Sequence, residues 1–250
     1  MTPQEIHSRA DAFAWAWHDV LGVVPSKAAA LLGLAVAMHE TQLGTAMADA
    51  RGCAENWGAC TRRRCAPAEL ALLEHLPPSA AVNLVPAQAA LAATIPDDCI
   101  LWRDSAPTVG WYWTMFARFP TPRKGAGYEV ETLGKHMPSC RAAMDACAEV
   151  TAGACFTLAS HMYACHYFMG FHDPRQPGGI AANIGDYSGA LWRCAQALLG
   201  ALATWTPMAP DDVAPTQPSP APDACVPDGV SPEVPSVCVE PPADGSLTVA

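Results

Sequence analysis

Apolar residues recur at helical spacing over most of the first 206 positions. From Gln4 to Leu21, Ile6, Ala10, Phe13, Trp17 and Val20 line one face of a helix. Pro25-Ser26 then opens a second helix, with Ser26 as its N-cap, running through KAAALLGLAVAMHETQL to a stop at Gly44. Further helices are expected at Pro67 to Leu76, Pro86 to Ala93, Gly127 to His136, Cys140 to Val150, Phe156 to Met169 and Ile180 to Thr204. The centre departs from this period. Cys99 to Asp104 and Val109 to Phe119 are rich in aromatic and β-branched residues and flank a Ser-Ala-Pro-Thr turn, which reads as a hairpin. The expected fold class is mainly α, a helical domain of residues 1–206 with one small β-hairpin.

Beyond Trp205 the pattern stops. The segment 207–250 holds eleven of the 24 prolines, seven acidic residues and no Lys or Arg, so it is expected to be an extended or disordered acidic tail. Removing it leaves 14 basic and 17 acidic residues, a net of -3, in positions 1–206. A total of -10 over 250 residues argues against a nucleic-acid partner, which a basic face would have to hold. Half the chain is apolar (51%), enough for a real core, yet no apolar run reaches the roughly 18 residues of a membrane span. The start, MTPQEIHSRADAFAWAW, has no basic region followed by an apolar stretch, so no secretory signal peptide is expected.

Eleven cysteines, none in a CxxC pair, favour disulfides in an oxidising place over a zinc ribbon. An extracytoplasmic or particle-borne protein without a signal peptide would leave the cell by lysis, a secretion machine or a virus particle. His39-Glu40 lacks the second His of an HExxH zinc site, since Leu43 stands there. His161, Cys165 and His166 share a helix face but read as core, so no metal or cofactor is expected.

Glu40 carries the most information. Leu32, Val36, Glu40 and Leu43 fall on one stripe, so the carboxyl sits among apolar neighbours. Desolvation is expected to raise its pKa, as a general acid requires. The segment HETQLG, followed twelve residues after its glycine by Asn56-Trp57-Gly58, resembles the signature of lysozyme-like peptidoglycan hydrolases. Ala37, Glu40, Thr41, Gly44, Asn56 and Gly58 match that signature. Phe116-Ala117-Arg118-Phe119-Pro120-Thr121 is similar to a segment of bacterial N-acetylglucosaminidases, and Gly125 to Leu133, with Tyr128, to the helix that follows it. Gly170, Phe171 and Tyr187 match their closing segment, except that Phe171 stands where a tyrosine is usual; Tyr163, Tyr167 and Tyr187 are the candidate replacements. These patches span residues 25–195 in the family's order.

The resemblance implies a lysozyme-like fold that cleaves the glycan strands of peptidoglycan, as a glucosaminidase, muramidase or lytic transglycosylase. Glu40 would be the acid, and Asn56, Trp57, Gly58, Arg118, Tyr163 and Tyr187 would bind or shape the cleft. Asp104, expected at the hairpin turn, is the first candidate for a second carboxylate, with Asp97, Asp98 and Glu55 as alternatives and a plain turn residue as the competing reading. The Trp102, Trp111, Trp113, Phe116 and Phe119 ribbon reads as core with one or two sugar platforms; Arg62-Arg63-Arg64 reads as a solvated face or a contact to wall peptides. The competing class is a structural or wall-binding protein of a particle, with the tail as its link to virion or secretion-machine proteins.

Deleting residues 207–250 should leave the fold and any cleavage by residues 1–206 intact, because Pro-rich polar sequence buries little area. A truncated chain that melts more than a few degrees lower would mean instead that Cys225 or Cys238 staples the tail to the body.

Overall fold

A computed structural model describes residues 1–49, 51–64, 95–106, 110–164 and 179–210. The expected helices at 67–76 and 86–93, the tail from 211, and Cys65, Cys165, His166, Tyr167, Gly170 and Phe171 lie outside those residues. The architecture is mainly helical with small antiparallel sheets.

Helix α1 (Pro3–Leu21) starts at a Thr2–Glu5 capping box with Pro3 in its first turn, and ends at Gly22, whose φ of 72° suits a residue without Cβ. It buries Ala10, Phe13 and Trp17, with Ile6 and Val20 packed at the margin. Helix α2 (Lys27–Thr41) is capped by the Ser26 side chain on the Ala29 amide. Every residue from Ala28 to Ala37 is buried, so α2 is the central helix and has no single apolar stripe. Leu32, Val36 and Leu43 of the expected stripe are buried, as are the positions between Leu32 and Val36, and Glu40 in the last turn is partly buried. Gly33 lets α1 come close, since a Cβ there would lie 2.4 Å from the Phe13 ring.

After α2 come a two-residue ladder, β1 (Ala48–Asp49) with β2 (Gly52–Cys53), and then β3 (Thr61–Arg64). The hairpin is β4 (Cys99–Ala106) and β5 (Gly110–Ala117), in a three-stranded sheet ordered β3-β5-β4. Its ladder continues through Ser105↔Trp111 and Ala106↔Gly110, so the first strand runs past the expected end at Asp104. Asp104 is therefore inside a strand, opposite Tyr112, and not at the turn.

Helix α3 (Pro122–Glu131) begins five residues before the expected Gly127, with the Thr121 hydroxyl capping the Lys124 amide and Pro122 in the first turn. It runs into a π-helical turn (Thr132–His136), then α4 (Pro138–Asp145), α5 (Ala152–Ala164) and α6 (Gly179–Ala201). Helix α6 packs on α2 and α5, while α3 packs on α1. The end of the body is tied back to α1 by Trp205, 5% exposed, whose indole N–H donates to Asp11 at 2.8 Å. Cys53 and Cys194 are each disulfide-bonded, whereas Cys60, Cys147 and Cys155 carry free thiols. No helix of the described residues is long and apolar enough to cross a membrane.

Two glycines govern how α3 meets the turn at 54–60. A Cβ on Gly125 would lie 1.8 Å from the Glu55 carbonyl oxygen, which is backbone and cannot move aside alone. A Cβ on Gly58 would lie 1.9 Å from Glu129 Oε2, the end of a side chain. Gly125→Ala should therefore destabilise by about 1–3 kcal/mol, as overpacking does, and Gly58→Ala by less. Urea unfolding of the two variants gives the order; a larger loss for Gly58→Ala would contradict it.

Candidate functional site

Glu40 is in the last turn of α2 and is partly buried. Its Oε1 accepts a 2.6 Å hydrogen bond from the Tyr187 hydroxyl of α6. Two rings fix Tyr187: His39 lies edge-on at 4.9 Å between centroids and Tyr163 at 6.0 Å. Burial, aided by Arg193, holds His39 below its ordinary pKa, so the imidazole next to Tyr187 is neutral at neutral pH. Burial together with the Glu40 and Asp186 charges pushes the Tyr163 phenol up to about 12, and its hydroxyl donates to the Asn183 carbonyl at 3.4 Å. Tyr163 therefore stays a neutral phenol near this carboxyl, while Tyr187 is the phenol that donates to it.

A second carboxyl comes from α3. Glu129 is 2% exposed, and desolvation together with repulsion from Glu40 pushes its pKa up to about 8. No cation among the described residues forms an ion pair with it. It reaches Gly58 because that residue has no side chain.

The turn under Glu129 is built from several locks. The Thr41 hydroxyl donates to the Trp57 carbonyl at 2.9 Å and accepts from the Gly44 amide at 3.0 Å. Asn56 Nδ2 donates to the carbonyls of Cys60 and Ala117, and its Oδ1 accepts from the Cys60 amide at 2.7 Å. Trp57 is fully buried against Phe13, with centroids 6.3 Å apart. Its indole N–H donates to Glu55, which Arg9 of α1 grips through both guanidinium nitrogens at 2.7 and 3.0 Å. Gly44, at φ 88°, leaves room for the indole; a Cβ there would lie 2.6 Å from the ring.

The structure thus gathers Glu40, Tyr163 and Tyr187 as one cluster and sets Gly58 beside its second carboxyl. Asn56 and Trp57, expected to bind substrate, are 0% exposed and saturated by backbone and core, so they shape the site from beneath. Arg118 donates to the Gly52 and Cys53 carbonyls, both at 3.1 Å, and so braces strand β2. Glu55 is committed to Arg9, Asp97 to Arg51 and Asp98 to Arg62. Of Asp104, Trp111 and Trp113 only the backbone is described. Among the described residues no group of three or more His, Cys, Asp and Glu could hold a metal ion.

Glu129 is the residue that the sequence reading missed. Starting α3 at Pro122 puts Gly125, Ala126, Glu129, Val130 and Leu133 on one buried face, and the Thr-Pro start signal was there to be read. Comparison with known protein families, with characterised proteins and with solved structures gives no match.

Glu129 leaves a mark on stability. An unfolded-chain glutamate ionises above about 4.5, whereas the native Glu129 keeps its proton up to about 8. Native stability should then fall as pH rises through that window, by about 1.4 kcal/mol per pH unit from this group. Glu129→Gln removes the term, so its melting temperature should fall less than the wild type's between pH 5 and 8 and exceed it at pH 8. Equal slopes for the two proteins would show that Glu129 is ionised in the fold.

Proposed function

We propose that this chain is a lysozyme-like hydrolase of peptidoglycan that cleaves the glycan strand with Glu40 as the acid. The observation that carries this reading is the carboxyl of Glu40 at the end of the central helix, partly open and held by the Tyr187 hydroxyl at 2.6 Å, with the buried carboxyl of Glu129 within reach of its charge. Two carboxyl groups in unlike surroundings are what acid-assisted cleavage of an acetal uses.

Glu40 donates its proton to the glycosidic oxygen as the carbon–oxygen bond breaks, and the sugar left behind takes on oxocarbenium character. Water then adds to the anomeric carbon, or a hydroxyl of the same sugar closes on it, as in a lytic transglycosylase. Tyr187 positions the carboxyl and fills the role that the family gives to a tyrosine where this chain has Phe171. Neither step calls for a cofactor. The substrate sets the place of action outside the cytoplasm or on a virus particle, with the acidic tail as the link to other particle or secretion-machine proteins. Asp104 stays a candidate for a further carboxylate only through its position in β4.

Purified cell walls test this. Wild-type protein should clear a wall suspension, and Glu40→Gln, folded by circular dichroism, should not. Mass spectrometry of the products then assigns the bond: reducing glucosamine, reducing muramic acid and anhydro-muramic ends mark three different reactions. No clearing by the wild type would favour the structural or wall-binding class instead.

A further inference from the structure

We propose that Arg9 is a positioning residue for Glu40: its guanidinium fixes the chain reversal that ends α2, and through that reversal the direction of the Glu40 carboxyl. The inference rests on Glu40 being the acid of the reaction.

Each link is a hydrogen bond. Arg9 Nη1 donates to the Leu43 carbonyl and to Glu55 Oε2, both at 2.7 Å, while Nη2 donates to Glu55 Oε1 at 3.0 Å. The Leu43 amide reaches back across the last turn of α2 to the Ala37 carbonyl at 3.0 Å. Residues 38–42, Glu40 among them, thus lie inside a loop whose closing residue is the one that Arg9 holds. From the other side the Tyr187 hydroxyl donates to Glu40 at 2.6 Å. The carboxyl is therefore set between two fixed points, one on α6 and one reached through the backbone from α1.

The reversal needs such a hold. Gln42 and Leu43 are in the left-handed region, which residues with a Cβ adopt at a cost, and Gly44 follows at φ 88°. Glu55, itself left-handed, is kept in place as the acceptor. Its backbone carbonyl fits against Gly125, and the Trp57 indole donates to its Oε2 at 3.4 Å. The side chains of Arg9 and Glu55 are only 13% and 11% exposed, so water and salt screen the pair little. A cation at the C-terminal end of α2 is also where the helix dipole favours one. Helix α1 gives the guanidinium a rigid base, because Ala10, Phe13 and Trp17 beside it are core. Two donors on one carboxylate fix direction as well as distance, and a lysine keeps the charge but loses that fork.

Arg9→Lys tests this. Folded by circular dichroism and assayed well below its melting temperature on soluble peptidoglycan fragments, it should lower kcat about tenfold or more and leave KM nearly unchanged. A misplacement of about 1 Å is enough for such a loss. Glu55→Gln, which removes the charge that holds the fork, should do the same, and the double variant should be little worse than either, because both release one hold. A purely structural brace would lower the melting temperature and leave kcat at the wild-type value; that result would overturn the proposal. So would a KM that rises as kcat falls, since Arg9 would then shape the cleft and not the acid. A second measurement needs no substrate. In protein with isotope-labelled tyrosine, the ζ-carbon resonance of Tyr187, known by its absence in Tyr187→Phe, reports the bond to Glu40 and moves in Glu40→Gln. Arg9→Lys should move it the same way; an unmoved resonance means that the carboxyl is placed without Arg9, and the proposal falls. Should the wild type cleave no glycan, the reading of Glu40 as a glycosidase acid fails, while the resonance still decides whether Arg9 sets the carboxyl.

Discussion

An oxygen of Glu129 can reach the turn at Gly58 only because that position has no Cβ, and the rest of the site follows from this approach. The turn has to be thin at Gly58 for the carboxyl. The start of α3 has to be thin at Gly125 for the Glu55 carbonyl, and the end of α2 thin at Gly44 for the Trp57 ring. Three backbones are brought together with one large side chain, Trp57, filling what remains. The polar groups enclosed on the way are matched: Thr41 serves the Trp57 carbonyl, Asn56 serves Cys60 and Ala117, and Arg9 serves both the Leu43 carbonyl and Glu55. Satisfied buried hydrogen bonds of this kind keep the turn in one conformation.

This close packing is held against conformational strain. Gln42 and Leu43, with φ of 51° and 57°, follow α2 directly, and Glu55 and Ala59, both at 48°, bracket the Asn-Trp-Gly turn. Left-handed backbone costs a side-chain-bearing residue about 1–2 kcal/mol. Four such residues in two short segments show what the local hydrogen bonds have to offset. The segment after Glu40 is therefore a reversal of the chain imposed by its surroundings, not a relaxed helix end. Leu43 illustrates the balance: it is strained, yet fully buried, and its carbonyl accepts from Arg9 at 2.7 Å.

Local signals made much of the fold legible in the sequence. Ser26 before an alanine-rich run, the alternating aromatic strands, and Ile6 to Val20 at helical spacing all act through near neighbours, and the structure has α1, α2 and the β4–β5 hairpin where those signals are. Glu40 was legible for a similar reason: a carboxylate at the end of an apolar helix is conspicuous. The roles of Asn56, Trp57 and Arg118 were not. Asn56 and Arg118 bond to residues 61 to 66 positions away and Trp57 packs into the core, and a residue that organises a turn has the same letter as one that binds a sugar. The short strand β3 was hidden because Arg62-Arg63-Arg64 has no apolar alternation; it pairs as an edge of the sheet, where charge is tolerated.

Glu40 and Glu129 show how the same residue type acquires different properties from its surroundings. Glu40 lies at a helix end with access to water and a phenol donating to it. Glu129 lies in the middle of a helix face between Ala126 and Val130, where the core removes water from both sides. Transfer out of water disfavours an isolated carboxylate far more than a carboxylic acid, so burial selects the protonated form of Glu129 without any direct bond to Glu40. The negative charge of Glu40 adds to that selection. The asymmetry is set by helix position alone: moving α3 by one residue would turn Glu129 away from Gly58 and bring Tyr128 or Val130 toward it. The register of α3 is fixed at its start by the Thr121 cap and Pro122, and along its length by the contact of Gly125 with Glu55. The burial of Glu129 is thus determined eight residues upstream, by a cap whose side chain accepts from the Lys124 amide.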